Sequence, residues 1–292
     1  MTPNEYGTLR QVAVTHAREA FVDQPTIDRQ WEGLAFTGRP DFSRAIAQHD
    51  AFIGALRAAG AVVHLLPPST GTTLDAIYPR DASLACPGGI VLCAMGKAAR
   101  TGEPEAQRLA YAAVTPPIPI LGRIEPPGAI EGGDVVWLGP RMLAVGVGYR
   151  TNVEGTAQLR RLLGTSIDEL IEVPLPHWRG PGDVLHLMSL LSPLDEDLAV
   201  VYSPLLSVPF RQRLVAMGIS FVEVPEAEFD SMGVNVLALA PRRCLMLSGN
   251  PRTRAALERA DASVTEYDGS EISVKGCGGP TCLTRPLVRE PR

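Results

Sequence analysis

One order of elements recurs along this chain and limits what it can fold into: strand, turn, strand, helix, strand. Residues 8–66 open on the alternating run Leu9-Arg10-Gln11-Val12-Ala13-Val14 and pass through a looser stretch to a helix. That helix carries Ala45, Ile46, Phe52, Ile53 and Leu56 on one side, and Gly60 stops it before Val62-Val63-His64-Leu65-Leu66. Residues 77–120 follow with Ser83-Leu84-Ala85, a Pro87-Gly88-Gly89 turn, Ile90-Val91-Leu92-Cys93, a helix near 103–114 and Ile118-Pro119-Ile120. Residues 130–175 give Asp134-Val135-Val136-Trp137-Leu138, a Gly139-Pro140 turn, Met142-Leu143-Ala144-Val145, a helix over 153–163 and Glu172-Val173-Pro174-Leu175. Residues 183–224 give Val184-Leu185-His186-Leu187, Leu198-Ala199-Val200-Val201-Tyr202, a helix near 206–217 and Phe221-Val222-Glu223-Val224. The last unit runs from Val234-Asn235-Val236-Leu237-Ala238-Leu239 through Cys244-Leu245-Met246-Leu247 and a helix over 251–259 to Val264-Thr265-Glu266-Tyr267.

One such unit cannot bury both faces of its small sheet alone. Self-similarity at a period of about 45 to 60 residues therefore predicts a closed array of five α/β units around an axis, one domain over residues 1–292. The competing arrangement is an ordinary α/β sheet with crossovers. In the closed array the first strand of each unit brings polar residues to the centre, at Asp81, Glu131, His186, Asn235 and Cys282.

With 45% hydrophobic and 20% charged residues among 292, the chain can bury a large core. A net charge of -5 without a basic run argues against a nucleic-acid or anionic-membrane surface, so the expected partner is a small molecule. Arg10, His16, Arg18 and Glu19 interrupt the first twenty residues, and no run approaches the roughly 18 apolar residues of a membrane span. A cytoplasmic location is the expectation. Cys86, Cys93, Cys244, Cys277 and Cys282 are odd in number and irregularly spaced, which fits reduced thiols better than a disulfide framework.

Taken singly, the central residues have ordinary explanations: a local ion pair in Tyr78-Pro79-Arg80-Asp81, a turn in Glu131-Gly132-Gly133-Asp134, a core histidine at His186. Together they compose a chemistry. A buried carboxylate beside a histidine orients it and raises its basicity, and a histidinium near a thiol favours the reactive thiolate. Gly276-Cys277-Gly278-Gly279-Pro280-Thr281-Cys282 supplies the thiol on a shaped loop, its glycines allowing close backbone approach to a ligand.

Ile130-Glu131-Gly132-Gly133-Asp134-Val135, Arg150-Thr151-Asn152, His186-Leu187, Asn235-Val236-Leu237 and Gly279-Pro280-Thr281-Cys282-Leu283-Thr284, in that order, resemble the guanidino-group-modifying (pentein) superfamily. It includes arginine deiminases, glycine amidinotransferases and dimethylarginine dimethylaminohydrolases. The resemblance covers nearly the whole chain and implies a five-bladed, pseudo-symmetric α/β propeller of ββαβ units. It also implies a cysteine-dependent hydrolase of a guanidino compound, closest to the dimethylarginine hydrolases, with no cofactor and no metal. Cys282 matches the nucleophile, His186 the general acid and base, and Glu131 its supporting carboxylate. Asp81 matches the carboxylate that grips the guanidinium, Asp75 a further acidic contact, and Arg100 and Arg150 the residues that hold the amino acid's carboxylate. These types suit the chemistry: a guanidinium, with a pKa above about 12, stays charged and calls for carboxylates. Its resonance-stabilised carbon calls for a soft nucleophile, and the product is a ureido compound such as citrulline.

Two positions depart from the pattern. Deiminases and amidinotransferases carry His-x-Asp where this chain has His186-Leu187-Met188, and Met188 is expected to wall the pocket for a methylated nitrogen. Arg80-Asp81, by contrast, is similar to the deiminase and amidinotransferase pair, which leaves deimination of arginine and amidino transfer open. The length resembles the hydrolases more than the larger deiminases. A metal-dependent ureohydrolase would need an Asp-x-His-x-Asp cluster, and none of the five histidines is so spaced. A homodimer stays open.

Overall fold

The computed structural model describes residues 4–182 and 185–290. Its elements follow the chain as β1 (Thr8–Val14), α1 (Ala17–Phe21), α2 (Gln24–Gln30), α3 (Phe42–Ala58) and β2 (Val62–Leu65); then β3 (Ser83–Cys86), β4 (Gly89–Leu92), α4 (Glu103–Ala113) and β5 (Ile120–Arg123). The third unit is β6 (Val135–Gly139), β7 (Met142–Val147), α5 (Val153–Leu163) and β8 (Glu169–Pro174). The fourth is β9 (Leu191–Asp195), β10 (Leu198–Val201), α6 (Val208–Ala216) and β11 (Ser220–Glu223). The fifth is β12 (Val236–Ala240), β13 (Arg243–Leu247), α7 (Pro251–Arg259) and β14 (Ser263–Tyr267), and β15 (Arg285–Glu290) ends the chain.

The described strands make five three-stranded sheets. In the sheets begun by β3, β6, β9 and β12, the first two strands form an antiparallel hairpin and the third joins the second in parallel. Parallel pairing requires a crossover, which the helix of each unit supplies. The remaining sheet has the order β15-β1-β2, so the C-terminal strand fills the first place in the N-terminal blade. β15 runs antiparallel to β1, from Thr8 opposite Glu290 to Ala13 opposite Arg285, and closes the ring of blades. The run that opens on Leu9 is thus the second strand of its blade; the first, implied only by the central place of Cys282, has its pattern hidden by Pro286 and the preceding glycine-rich loop.

A second correction concerns Val184-Leu185-His186-Leu187, expected as a strand. Val184 lies outside the described residues, and Leu187–Ser189 is a single 3-10 turn with His186 at its N-cap. The first strand of that blade starts later, at Leu191.

The apolar core lies between neighbouring blades. Val136, Leu187, Leu191, Val200, Val236 and Met246 belong to one cluster, while Leu84, Val91, Val135, Val145 and Leu159 belong to another. Each fully buried side chain of this size contributes about 1.5–3 kcal/mol. Among the described residues, no helix is long and apolar enough to cross a membrane.

Candidate active site

Asp81, Glu131, His186, Asn235 and Cys282 each lie just before the first strand of their blade, at β3, β6, β9, β12 and β15. The fold thus delivers equivalent corners of five units toward the axis, where their side chains are buried or partly buried.

The best-defined contact is His186 Nε2 to Glu131 Oε2 at 2.8 Å. Glu131 is fully buried and also accepts from the backbone N–H groups of Gly96 (3.0 Å) and Lys97 (3.1 Å) and from Arg150 Nη1 (3.2 Å to each oxygen). Burial favours the neutral acid, but the His186 hydrogen bond and the charges of His186, Arg150 and Arg100 overcome it and hold this carboxyl well below its usual range. On His186 the balance is reversed: burial disfavours charge, yet Asp81, Asp134 and Glu131 raise its pKa to about 9, so it is an imidazolium at neutral pH. Its Nδ1 lies 3.8 Å from Asp81 Oδ1.

Such closeness needs Gly132-Gly133. A Cβ at Gly133 would run into His186 Nδ1, and one at Gly132 into the Arg80 carbonyl. Asp134 completes the corner by accepting from the Leu187 N–H (3.0 Å) and the Thr151 hydroxyl (2.6 Å), which fixes the backbone that carries His186. Burial raises the Asp134 pKa to about 6 against the pull of His186 and these donors.

Asp81 and Asp75 form an acidic wall. Asp81 Oδ1 accepts from the Gly133 N–H at 3.0 Å, and Oδ2 lies 2.5 Å from Arg100 Nη1. Asp75 Oδ2 lies 2.6 Å from Lys97 Nζ. Arg100 lines the cavity but is more committed than Arg150. Its Nε and Nη2 each donate to Glu103 at 2.8 Å, and Nη2 also donates to the Tyr78 carbonyl at 2.9 Å. With Nε, one N–H of Nη1 and both of Nη2 engaged, Arg100 positions Asp81 and keeps a single Nη1 N–H for a substrate carboxylate. Arg150 keeps more freedom, since only its Nη1 is spent on Glu131.

Cys282 is half-buried and receives the Asn235 amide at 3.4 Å, with the Thr281 hydroxyl at 3.9 Å. Asn235 in turn accepts from the Thr281 N–H (2.9 Å) and hydroxyl (2.8 Å), tying the thiol loop to the corner of β12. Burial and the Asp81 charge push the Cys282 pKa up, while Asn235, Thr281 and Arg80 pull it down less strongly. The resting thiol is therefore protonated. Behind it, Gly276 and Gly278 pack on the Tyr78 ring so closely that a Cβ would overlap the ring atoms. The loop follows Ser270–Val274, one wide π-helical turn of the kind often found at functional sites.

Two cavities meet at this thiol. One, of about 150 Å³, is lined by Leu34, Asp75, Asp81, Lys97, Arg100 and Arg150 together with His186, Cys277 and Cys282. The other, of about 120 Å³, shares His186, Cys277 and Cys282 and continues past Trp178, Phe229 and Asn235. The structure thus gathers Cys282, His186, Asp75, Asp81, Arg100 and Arg150 on one cavity and puts Glu131 behind His186. Asp81, Glu131 and His186 offer atoms within 4.8 Å of one another, a spacing that a metal ion could bridge. In this chain Arg100, Arg150 and the imidazolium already bring positive charge to both carboxylates.

Met188 does not form the expected apolar wall. It is 2% exposed, off the surface of both cavities, and its sulfur accepts from Arg80 Nη2 (3.0 Å) and Nε (3.2 Å). Arg80 is buried as well and pairs with Glu5 at 2.7 Å. Lys97, Glu103, Asp134 and Thr281 carry no role in the motifs, although Asp134 and Thr281 stand inside two of them.

The profile of the family described as "N,N dimethylarginine dimethylhydrolase, eukaryotic" matches residues 38–289. The N(G),N(G)-dimethylarginine dimethylaminohydrolase of Pseudomonas aeruginosa is 30% identical over 247 residues, covering 85% of this chain and 90% of its own. An arginine deiminase of Mycobacterium tuberculosis is 29% identical over 74% of this chain, which spans 60% of the deiminase. The solved structure of the Pseudomonas hydrolase in complex with citrulline superposes with a TM-score of 0.76 at 26% identity, covering 95% of this chain and 98% of that one. With five blades, a cavity bearing cysteine, histidine and carboxylates, and these matches, the chain belongs to the dimethylarginine dimethylaminohydrolase family of the pentein superfamily, enzymes that hydrolyse an amidine carbon–nitrogen bond.

Proposed function

We propose that the protein hydrolyses the guanidino group of an Nω-methylated arginine to citrulline and a methylated amine through a covalent adduct on Cys282. The observation that carries this reading is the thiol of Cys282 on a cavity that also holds the His186–Glu131 pair and the carboxylates Asp75 and Asp81. The substrate guanidinium binds against Asp81 beside Cys282, while Asp75 stays paired with Lys97. It also brings a cation beside Cys282, which offsets the burial that keeps the thiol protonated. The Cys282 thiol gives up its proton to solvent water, and the thiolate so formed adds to the guanidino carbon. His186, an imidazolium in the resting site, gives its proton to the substituted nitrogen as that carbon–nitrogen bond breaks, and the methylated amine leaves. Neutral His186 then takes a proton from water, whose oxygen attacks the thiouronium carbon. Breaking of the carbon–sulfur bond releases citrulline and restores the thiol. Glu131 keeps Nε2 oriented throughout, and Arg150 is freer than Arg100 to meet the substrate's carboxylate.

The second reading, release of ammonia from unsubstituted arginine, is favoured by the deiminase relative and by Arg80-Asp81. Incubation with arginine, monomethylarginine, dimethylarginine and hydroxyarginine, scoring ureido product and released amine, separates the two. Methylated substrates are expected to be turned over faster. A preference for plain arginine of about tenfold or more would defeat the first reading.

A further inference from the structure

Lys97 stands out among the cations of the site. Its backbone N–H helps hold Glu131, but its side chain runs the other way, with Nζ 2.9 Å from the Leu34 carbonyl and 2.6 Å from Asp75 Oδ2. Both acceptors belong to residues that line the larger cavity. The side chain is 23% exposed, against 6% for Arg100 and 10% for Arg150, so it is the most accessible cation of the three. An incoming ammonium would seek a carboxylate and a carbonyl at this position, and Lys97 already occupies them.

The charges point the same way. Five acids, Asp75, Asp81, Glu103, Glu131 and Asp134, face Lys97, Arg100, Arg150 and the His186 imidazolium. Because burial raises Glu103 to about 7, so that it is only partly ionised at neutral pH, the charges come close to balance. A guanidino compound whose far end is a carboxylate enters this nearly balanced site as a neutral zwitterion. One whose far end is an amine brings two positive charges into a partly dehydrated cavity already bordered by Lys97 and Arg150, and pays for their desolvation.

We propose that Lys97 is a specificity-determining residue that selects guanidino substrates with a carboxylate at the far end and makes an α-ammonium there unnecessary. This rests on the reading of Cys282 as the nucleophile of a guanidino hydrolase and narrows its substrate class. The test uses three N-methylguanidino compounds on the same methylene chain, ending in a carboxylate alone, in a carboxylate with an α-ammonium, and in an amine alone. The wild-type enzyme is expected to favour the carboxylate over the amine by about a hundredfold in kcat/KM, with the amino acid no better than the simple acid. Lys97→Met should shrink the acid-to-amine ratio by about tenfold or more, chiefly through KM for the acid, and Lys97→Arg should keep it. Because each ratio is taken within one protein preparation, partial misfolding cancels. Lys97→Gln, which retains a donor for the Leu34 carbonyl, must show the same fall as Lys97→Met. An amine turned over as well as the acid by the wild type, or a ratio that ignores Lys97→Met, overturns the proposal while leaving the hydrolase reading intact. No ureido product from any compound would remove the hydrolase reading and this one with it.

Discussion

The acidic wall of the cavity and its reactive wall are built in opposite ways. On the acidic side every carboxylate has a resident cation: Lys97 on Asp75, Arg100 on Asp81, Arg150 and His186 on Glu131. On the reactive side Cys282 has one amide at 3.4 Å, and its environment favours the neutral thiol. The contrast separates two tasks. Anchored charge fixes the geometry before substrate arrives, at little reorganisation cost, whereas the nucleophile is held in reserve until a cation sits beside it.

The strongest way to break this contrast is to remove the reserved group. Cys282→Ser should lower turnover by at least about a thousandfold while the protein stays folded, because the loss falls on the covalent step. Cys277 borders the same two cavities but is exposed, so Cys277→Ser should change turnover only a few-fold. Trapping with a haloacetamidine followed by mass spectrometry should find the label on Cys282. Label on Cys277, with activity surviving Cys282→Ser, would exchange their roles.

Loosening the anchored side should cost less. Glu131→Gln keeps the shape of the buried side chain but removes the charge that orients and charges His186, and turnover should fall by about a hundredfold. In a His186→Ala background the same change should add little, since the two residues act as one unit. Additive losses in that double-mutant cycle would mean that Glu131 and His186 work separately.

The pH dependence sharpens the comparison further. In the free enzyme the thiolate appears only as pH rises toward the raised Cys282 pKa, and the imidazolium is lost near pH 9. The profile of kcat/KM should therefore be a bell on the alkaline side, centred above the His186 pKa of about 9, whose limbs belong to the coupled pair. With a guanidinium bound, the alkaline requirement for thiolate relaxes, and the rising limb of kcat should lie at lower pH than that of kcat/KM. Coincident limbs would show that substrate does not release the thiol. Stability has the same sign for both groups. His186 has a raised folded pKa, so its contribution is full below its ordinary value near 6.5 and disappears as pH passes about 9. Melting temperature should fall across that window, and less so in Glu131→Gln.

Much of this site was legible because the sequence repeats. Blade recurrence placed Asp81, Glu131, His186, Asn235 and Cys282 at equivalent corners, and motif order gave several of them chemical roles. What escaped were contacts between segments far apart in the chain. Lys97 meets the Leu34 carbonyl, Arg80 pairs with Glu5, and β15 pairs with β1 at the other end of the chain. Neither periodicity nor local spacing encodes which side chain a buried cation will choose. Asp134 was visible inside Glu131-Gly132-Gly133-Asp134, but its hold on Leu187 depends on how two blades meet.

Met188 carries the smallest expected effect and tests where the reactive wall ends. Its place two residues after His186 suggests a residue that faces substrate, and on that basis Met188→Asp would shift preference toward unmethylated arginine. The structure puts its sulfur 3.0 and 3.2 Å from Arg80 nitrogens, away from both cavity surfaces. Arg80, Arg285 and Arg289 are buried, and Glu5 forms the one ion pair seen on Arg80 among the described residues. A carboxylate at position 188 should therefore pair with Arg80 and be compensated there. Steady-state kinetics on arginine and monomethylarginine with both proteins should show the ratio of kcat/KM values changing by no more than about threefold. A swing of about tenfold toward arginine would mean that the substituted side chain reaches the guanidino group, and would return this position to the substrate-facing wall.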